Sequence, residues 1–131
     1  MPTSGSARSG STPLATPASS VGGRVTNDHE IFDQTVVAVA HYRAREGAED
    51  TIAALLAEYS RLVQAEPGCA AFSAHQAYED PREFVLYEQY RDRAAFDQHR
   101  ASPHYLSIAR DRIRPLLERR DVMLYRGALG P

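Results

Sequence analysis

Residues 84–105, FVLYEQYRDRAAFDQHRASPHY, constrain the fold more than any other stretch, because the hydrophobic period changes there without a linker. Phe84, Leu86, Glu88 and Tyr90 alternate with Val85, Tyr87, Gln89 and Arg91, the two-residue period of a strand rich in aromatic and branched side chains. From Asp92 the period becomes helical. Asp92 is placed to accept from the free backbone N–H groups of a helix start, and Phe96, His99 and Arg100 follow at spacings of three and four on one face. Ser102-Pro103 reads as a second N-cap followed by proline at the first helical position, so a kinked or two-part helix should carry His104 and Tyr105. A strand turning directly into such a helix brings His99 back over the strand face that bears Tyr90.

The remaining elements can be placed around this one. Residues 35–45, TVVAVAHYRAR, read as a strand that is central at its start and more exposed at its end. Ile52, Leu55, Leu56, Tyr59, Leu62 and Val63 then form one apolar helical stripe, with Glu49 and Asp50 where the positive helix end favours carboxylates. Glu66-Pro67-Gly68 stops that helix. Residues 69–78 read as a strand, and Glu79-Asp80-Pro81-Arg82 is turn chemistry that returns the next strand antiparallel. After the kinked helix, Leu106, Ile113, Leu116 and Leu117 are its later apolar positions, Pro115 marks a bend or end, and residues 121–127 form a last strand. The order is β-α-β-β-α-β, a ferredoxin-like α+β arrangement with two helices on one face of an antiparallel sheet. The other face, with Val85, Tyr87 and Gln89, is too apolar to stay fully wet, so a homodimer packed sheet to sheet is expected.

Residues 1–33 form a Ser/Gly/Pro/Ala-rich segment expected to be a disordered tail, leaving residues 34–131 as the one domain. No apolar stretch of about 7 residues follows Arg8, so a signal peptide is not expected and a cytoplasmic location is. No apolar run approaches the roughly 20 residues that cross a bilayer, so no membrane partner is expected. The formal net charge of -2 in 131 residues favours no nucleic-acid partner. The basic residues are all arginine, which removes Schiff-base chemistry through a lysine amine. With Cys69 as the single cysteine, neither an intrachain disulfide nor a cysteine-rich metal site can form.

Glu66-Pro67-Gly68-Cys69 after the first helix, Phe84-Val85-Leu86-Tyr87-Glu88 on the third strand, and Phe96, His99 and Ala101-Ser102-Pro103-His104-Tyr105 in the second helix resemble the antibiotic biosynthesis monooxygenase domain of the dimeric α/β barrel superfamily. The resemblance runs from about Val36 to Leu129. It implies one of several activities: cofactor-free oxidation of polycyclic phenols or anthrones to quinones, haem degradation, or isomerisation of a small phosphorylated sugar. Haem-degrading relatives resemble one another in an asparagine on the first strand, a tryptophan ending the third and an iron-binding histidine in the second helix. The matching positions here are Ala40, Tyr90 and Ala109, and the chain has no tryptophan, so haem degradation is not expected. The quinone-forming relatives need neither metal nor flavin. The sequence likewise offers no metal-ligand cluster and no glycine-rich phosphate loop, so no cofactor is expected.

His99 is the candidate general base: a neutral imidazole can take a phenolic proton from a bound substrate and leave the electron-rich anion that direct reaction with dioxygen requires. The alternative is a core histidine bonded to strand or loop. Tyr90 is a second candidate, either bonding a substrate carbonyl or filling the pocket floor. Phe72, Leu86, Phe96, Tyr105 and His104 are the expected substrate-binding residues, His104 being equally a helix-start position. Glu88 in an apolar strand needs a partner, for which Arg100 is a candidate. Tyr78 and His75 point to opposite faces of the second strand, so at most one enters the pocket, and His41 with Arg43 suits the dimer face. Cys69 reads as a small buried hydrophobe. The expected function is cofactor-independent oxygenation of a polyketide-like phenol or anthrone. A non-oxidative isomerase and a non-catalytic ligand-binding dimer are the alternatives.

Overall fold

The computed structural model describes residues 34–131, and the segment expected as a tail lies outside the described residues. Four strands, β1 (Val36–Ala44), β2 (Cys69–Gln76), β3 (Glu83–Tyr90) and β4 (Leu117–Arg126), form one sheet in the order β2-β3-β1-β4. Every neighbouring pair is antiparallel, with Ala40 opposite Leu86 on one side and Val122 on the other. Helices α1 (Glu49–Gln64) and α2 (Arg93–Arg100) connect the strands, and α2 continues into a π-helical segment, Tyr105–Ile113, and a 3-10 turn, Arg114–Leu116. This is the expected ferredoxin-like α+β order.

The two-residue period decides which sheet face is covered. Ala38, Ala40, Tyr42 and Ala44 of β1 and Phe84, Leu86, Glu88 and Tyr90 of β3 all face the helices and are buried. From α1, Ile52, Leu55, Leu56, Tyr59 and Val63 close over them. Leu62 is 40% exposed, so the apolar stripe is one residue narrower than its sequence suggests. The N-cap of α1, Ala48, supplies no side-chain bond. Burial of its stripe, about 1.5–3 kcal/mol for each large side chain, therefore holds this helix more than capping does.

The caps read from sequence at α2 are present. Asp92 Oδ1 accepts from the Ala95 N–H at 2.8 Å, while Ser102 Oγ donates to the His99 carbonyl at 2.7 Å and accepts from the Tyr105 N–H at 3.2 Å. Ser102 thus ends one helix and begins the next, which fixes the bend between His99 and His104.

Two strand boundaries differ from expectation by two residues or more. β2 ends at Gln76, leaving Tyr78 exposed in the turn, because Ala77 already bonds across to the Glu83 carbonyl as the hairpin closes. β4 starts at Leu117, four residues before the expected Asp121, and Leu117 opens the strand against Ala44 instead of extending the helix stripe. The Pro115 bend is the 3-10 turn. Among the described residues, no helix is long and apolar enough to cross a membrane.

Candidate active site

The turn after α1 carries the first functional side chain. The Glu66 N–H donates to the Val63 carbonyl at 3.0 Å and its own carbonyl accepts from Cys69 at 3.1 Å, so its backbone is held on both sides. Gly68 lets this turn lie against the start of α2: a Cβ at that position would sit 2.4 Å from the Ala95 Cβ, and the Gly68 carbonyl takes the Arg91 N–H at 2.8 Å. That close approach sets the Glu66 carboxylate beneath the inward face of α2. There His99 is 2% exposed, with its Nδ1 2.9 Å from Glu66 Oε2.

A carboxylate only accepts, so the Glu66 bond places the proton on His99 Nδ1 and leaves Nε2 as the lone-pair nitrogen. Nε2 lies 3.2 Å from the Tyr59 hydroxyl and 3.7 Å from Glu88 Oε1. The Tyr90 hydroxyl donates to the same Glu88 oxygen at 2.7 Å. Burial drives the Tyr59 and Tyr90 hydroxyls far above the usual phenol range, with the nearby Glu88 charge adding to it, so both remain protonated donors. Burial also pushes the Glu88 carboxyl up to about 7, against the opposing effects of the Tyr90 hydrogen bond and the Arg120 charge. The same desolvation lowers His99 below the ordinary histidine range, with Glu66 opposing it, so the imidazole is neutral at neutral pH. Two groups able to accept a proton, the neutral His99 at Nε2 and the raised Glu88 carboxyl, therefore stand 3.7 Å apart. Clustered perturbed groups of this kind mark functional sites more often than packing does.

A cavity of about 200 Å³ opens against them. Its walls are the small Ala38 and Ala40, the rings of Tyr42, Tyr59, Phe96 and Tyr105, the ionisable Glu88, His99, Arg100 and Arg120, and Val122 with Leu124. The helices do not cover β4, where Val122 and Leu124 stay 42% and 41% exposed on the helix side of the sheet and form the rim.

The expected site residues divide between wall and support. His99, Phe96 and Tyr105 line the cavity. Tyr90 does not: it is fully buried, its ring packs 4.8 Å from that of His99, and its hydroxyl is committed to Glu88. Phe72 and Leu86 also lie outside the wall. Phe72 packs edge-on against Tyr59 at 5.6 Å and Leu86 is fully buried, because the cavity lies over β1 and β4 and reaches β3 only at Glu88. His104 faces Glu66 Oε2 at 2.5 Å from its Nε2, on the side of His99 away from the cavity.

Other pairings also differ from expectation. The cation acting on Glu88 is Arg120, whereas Arg100 lies over the Phe96 ring at 5.9 Å. His75, paired with Ser73 at 2.9 Å, and the exposed His41 lie on the open sheet face, away from the cavity. Arg43 bonds Asp80 and Glu83 at the hairpin, which accounts for its half-buried position. Cys69 is only partly buried, and desolvation raises its thiol, so it is a poor nucleophile.

Glu66, Tyr59, Tyr42 and Arg120 were not anticipated as site residues. Only Glu66 carried a signal, as part of the Glu66-Pro67-Gly68 turn. The expectation of no metal-ligand cluster also needs correction, since the fold gathers Glu66, His99 and His104 with their ligand-type atoms within 4.8 Å of one another. Ala40 and Ala109 are buried methyl groups with no ligand atom to offer a haem iron.

The domain described as antibiotic biosynthesis monooxygenase matches residues 35–111. Rv0793 of Mycobacterium tuberculosis is 39% identical over 72 residues, which cover 55% of this chain and 70% of that protein. Its solved structure superposes with a TM-score of 0.67 at 33% identity over 73% of this chain and 97% of that one. SnoaB of Streptomyces nogalater, described as a cofactor-independent oxygenase, shares the fold, with a TM-score of 0.65 at 18% identity over 74% of this chain and 96% of its own. With the family match spanning more than half of the residues, this chain belongs to the antibiotic biosynthesis monooxygenase family.

Proposed function

We propose that this protein is a cofactor-independent monooxygenase that converts a polyketide-like phenol or anthrone to a quinone with dioxygen. The observation that carries this reading is the tethering of His99 Nδ1 by Glu66, which leaves Nε2 unprotonated beside Glu88 at a ring-lined cavity. The reacting ring enters between Tyr42, Tyr59, Phe96 and Tyr105, and the remainder of a polycyclic substrate lies over Val122 and Leu124. The His99–Glu88 pair, assisted by the Tyr59 hydroxyl, takes the substrate proton and leaves a carbanion-like phenolate. That anion supplies the electrons to dioxygen, and a C–O bond forms at the activated ring carbon. Cleavage of the O–O bond then leaves one oxygen as the quinone carbonyl, and the other departs as water with the carbon's remaining hydrogen and the proton returned by the pair. Tyr90 holds Glu88, and Glu66 holds His99.

Purified protein freed of metal by a chelator should consume one dioxygen per quinone formed from an anthrone. Uptake no faster than the spontaneous rate across anthrones and naphthohydroquinones would overturn the reading. A non-oxidative isomerase is the second reading, favoured by the two guanidinium groups of Arg100 and Arg120 at the cavity, which suit a small anionic substrate. Turnover without oxygen uptake would select it.

The working unit is a cytoplasmic homodimer packed through the open sheet face. Tyr87, Met123 and Tyr125 are 41%, 60% and 49% exposed there beside Val37, Val39 and Val85, an apolar surface that a second copy would cover. Light scattering should give twice the chain mass, and a monomer at micromolar concentration would remove this pairing.

A further inference from the structure

On the face of His99 turned away from the cavity, three side chains converge at one point. Glu66 Oε2 lies 2.9 Å from His99 Nδ1 and 2.5 Å from His104 Nε2. The carboxylate side chain is 13% exposed and His104 18%, so solvent reaches this side of a histidine that is itself 2% exposed. We propose that Glu66, His99 and His104 form a binding site for a zinc-class divalent cation.

The donor set is the first reason. Two imidazole nitrogens and one carboxylate oxygen suit a borderline cation such as Zn²⁺ and leave one position for water. Bonds of about 2.0–2.2 Å place tetrahedral ligand atoms roughly 3.3 Å apart, so the two contacts to Glu66 must open by about 0.4 and 0.8 Å, within a group whose ligand atoms already all lie within 4.8 Å of one another. The outer contacts are the second reason. With an ion on Nδ1 the His99 proton resides on Nε2, where the Tyr59 oxygen at 3.2 Å accepts it. A ligating histidine normally finds such a partner for its other nitrogen.

The placement decides what the ion does. Neither Glu66 nor His104 lines the cavity, whereas His99 does. An ion held there acts on the cavity through the His99 ring, which it shares with the cavity wall. It fixes the Nε2–H tautomer and thereby removes the acceptor nitrogen. If His99 is the base, a consequence that rests on the function proposed above, the bound cation is an inhibitor.

Titration calorimetry of the full chain, first freed of metal and then given Zn²⁺, should show one saturable site per chain at micromolar concentration. His104→Ala and Glu66→Gln should each weaken it at least 10-fold. His104→Gln, which keeps a hydrogen-bond donor for Glu66, guards against a fold defect and should weaken binding too. His75→Ala, on the open sheet face, should not. Absence of a saturable site, or equal binding by the wild type and the His104 variants, overturns the proposal. Turnover measured in the same samples separates the two readings: a bound ion that leaves oxidation unaffected would remove His99 as base while keeping the site.

Discussion

Replacing His99 by alanine should lower the rate of anthrone oxidation by about 100-fold or more, the range typical of losing a positioned general base. The expectation follows from tautomer control. Glu66 holds the proton on Nδ1, burial keeps the ring neutral, and Nε2 is left as an acceptor beside the cavity. Glu88 remains in the variant, which is why the loss should stop short of the whole catalytic effect. His99 also packs among the rings of Tyr90, Phe96 and Tyr105 at 4.8, 6.4 and 5.3 Å, so alanine opens a void and lowers stability. Oxygen uptake should therefore be compared well below the melting temperature of both proteins. A folded His99→Ala protein that works within about twofold of the wild type would remove the base from this position.

Glu88→Gln should change stability in a strongly pH-dependent way. The Glu88 carboxyl sits at about 7 in the fold against 4.5 for an ordinary glutamate, because burial disfavours its charge. Below pH 4.5 both folded and unfolded chains carry the proton and nothing is lost. As pH rises toward 7 the unfolded chain releases its proton while the folded chain keeps it, so stability falls. Above 7 the whole cost is present, about 3 kcal/mol for a displacement of this size. Glutamine has no charge to bury. The difference in unfolding free energy between Glu88→Gln and the wild type should thus move in favour of the variant by up to about 3 kcal/mol between pH 4.5 and pH 8 in urea titrations. A difference independent of pH would show that folding does not raise the Glu88 carboxyl. The same group should matter for turnover, since a carboxyl raised to about 7 stands 3.7 Å from His99 Nε2 at the cavity.

The distribution of these residues along the chain explains why some were legible and others were not. Asp92, Ser102 and the alternation through Phe84, Leu86, Glu88 and Tyr90 act over one to four positions, where backbone geometry ties spacing to direction. Their caps and inward face follow from sequence, and with them the β-α-β-β-α-β order and the position of His99. The placement of Phe72 and Leu86 in the pocket wall depended on which strands the helices leave uncovered, and no local period carries that. β1 lies centrally between β3 and β4, and the helices leave β4 open, which moved the cavity to Ala38, Ala40, Val122 and Leu124.

The partners of His99 are separated from it by longer intervals. Glu66 is 33 residues away and Tyr59 40, and Gly68 brings the first within reach by letting a turn lie against Ala95. The sequence by itself determined the elements, their order and the helix face that carries His99, because these depend on neighbours in the chain. Tertiary structure alone decided the tautomer of His99, the elevated Glu88 carboxyl and the gathering of Glu66 with His104. Charge and hydrogen-bond energies depend on distance and burial in space, and only the closed fold sets those.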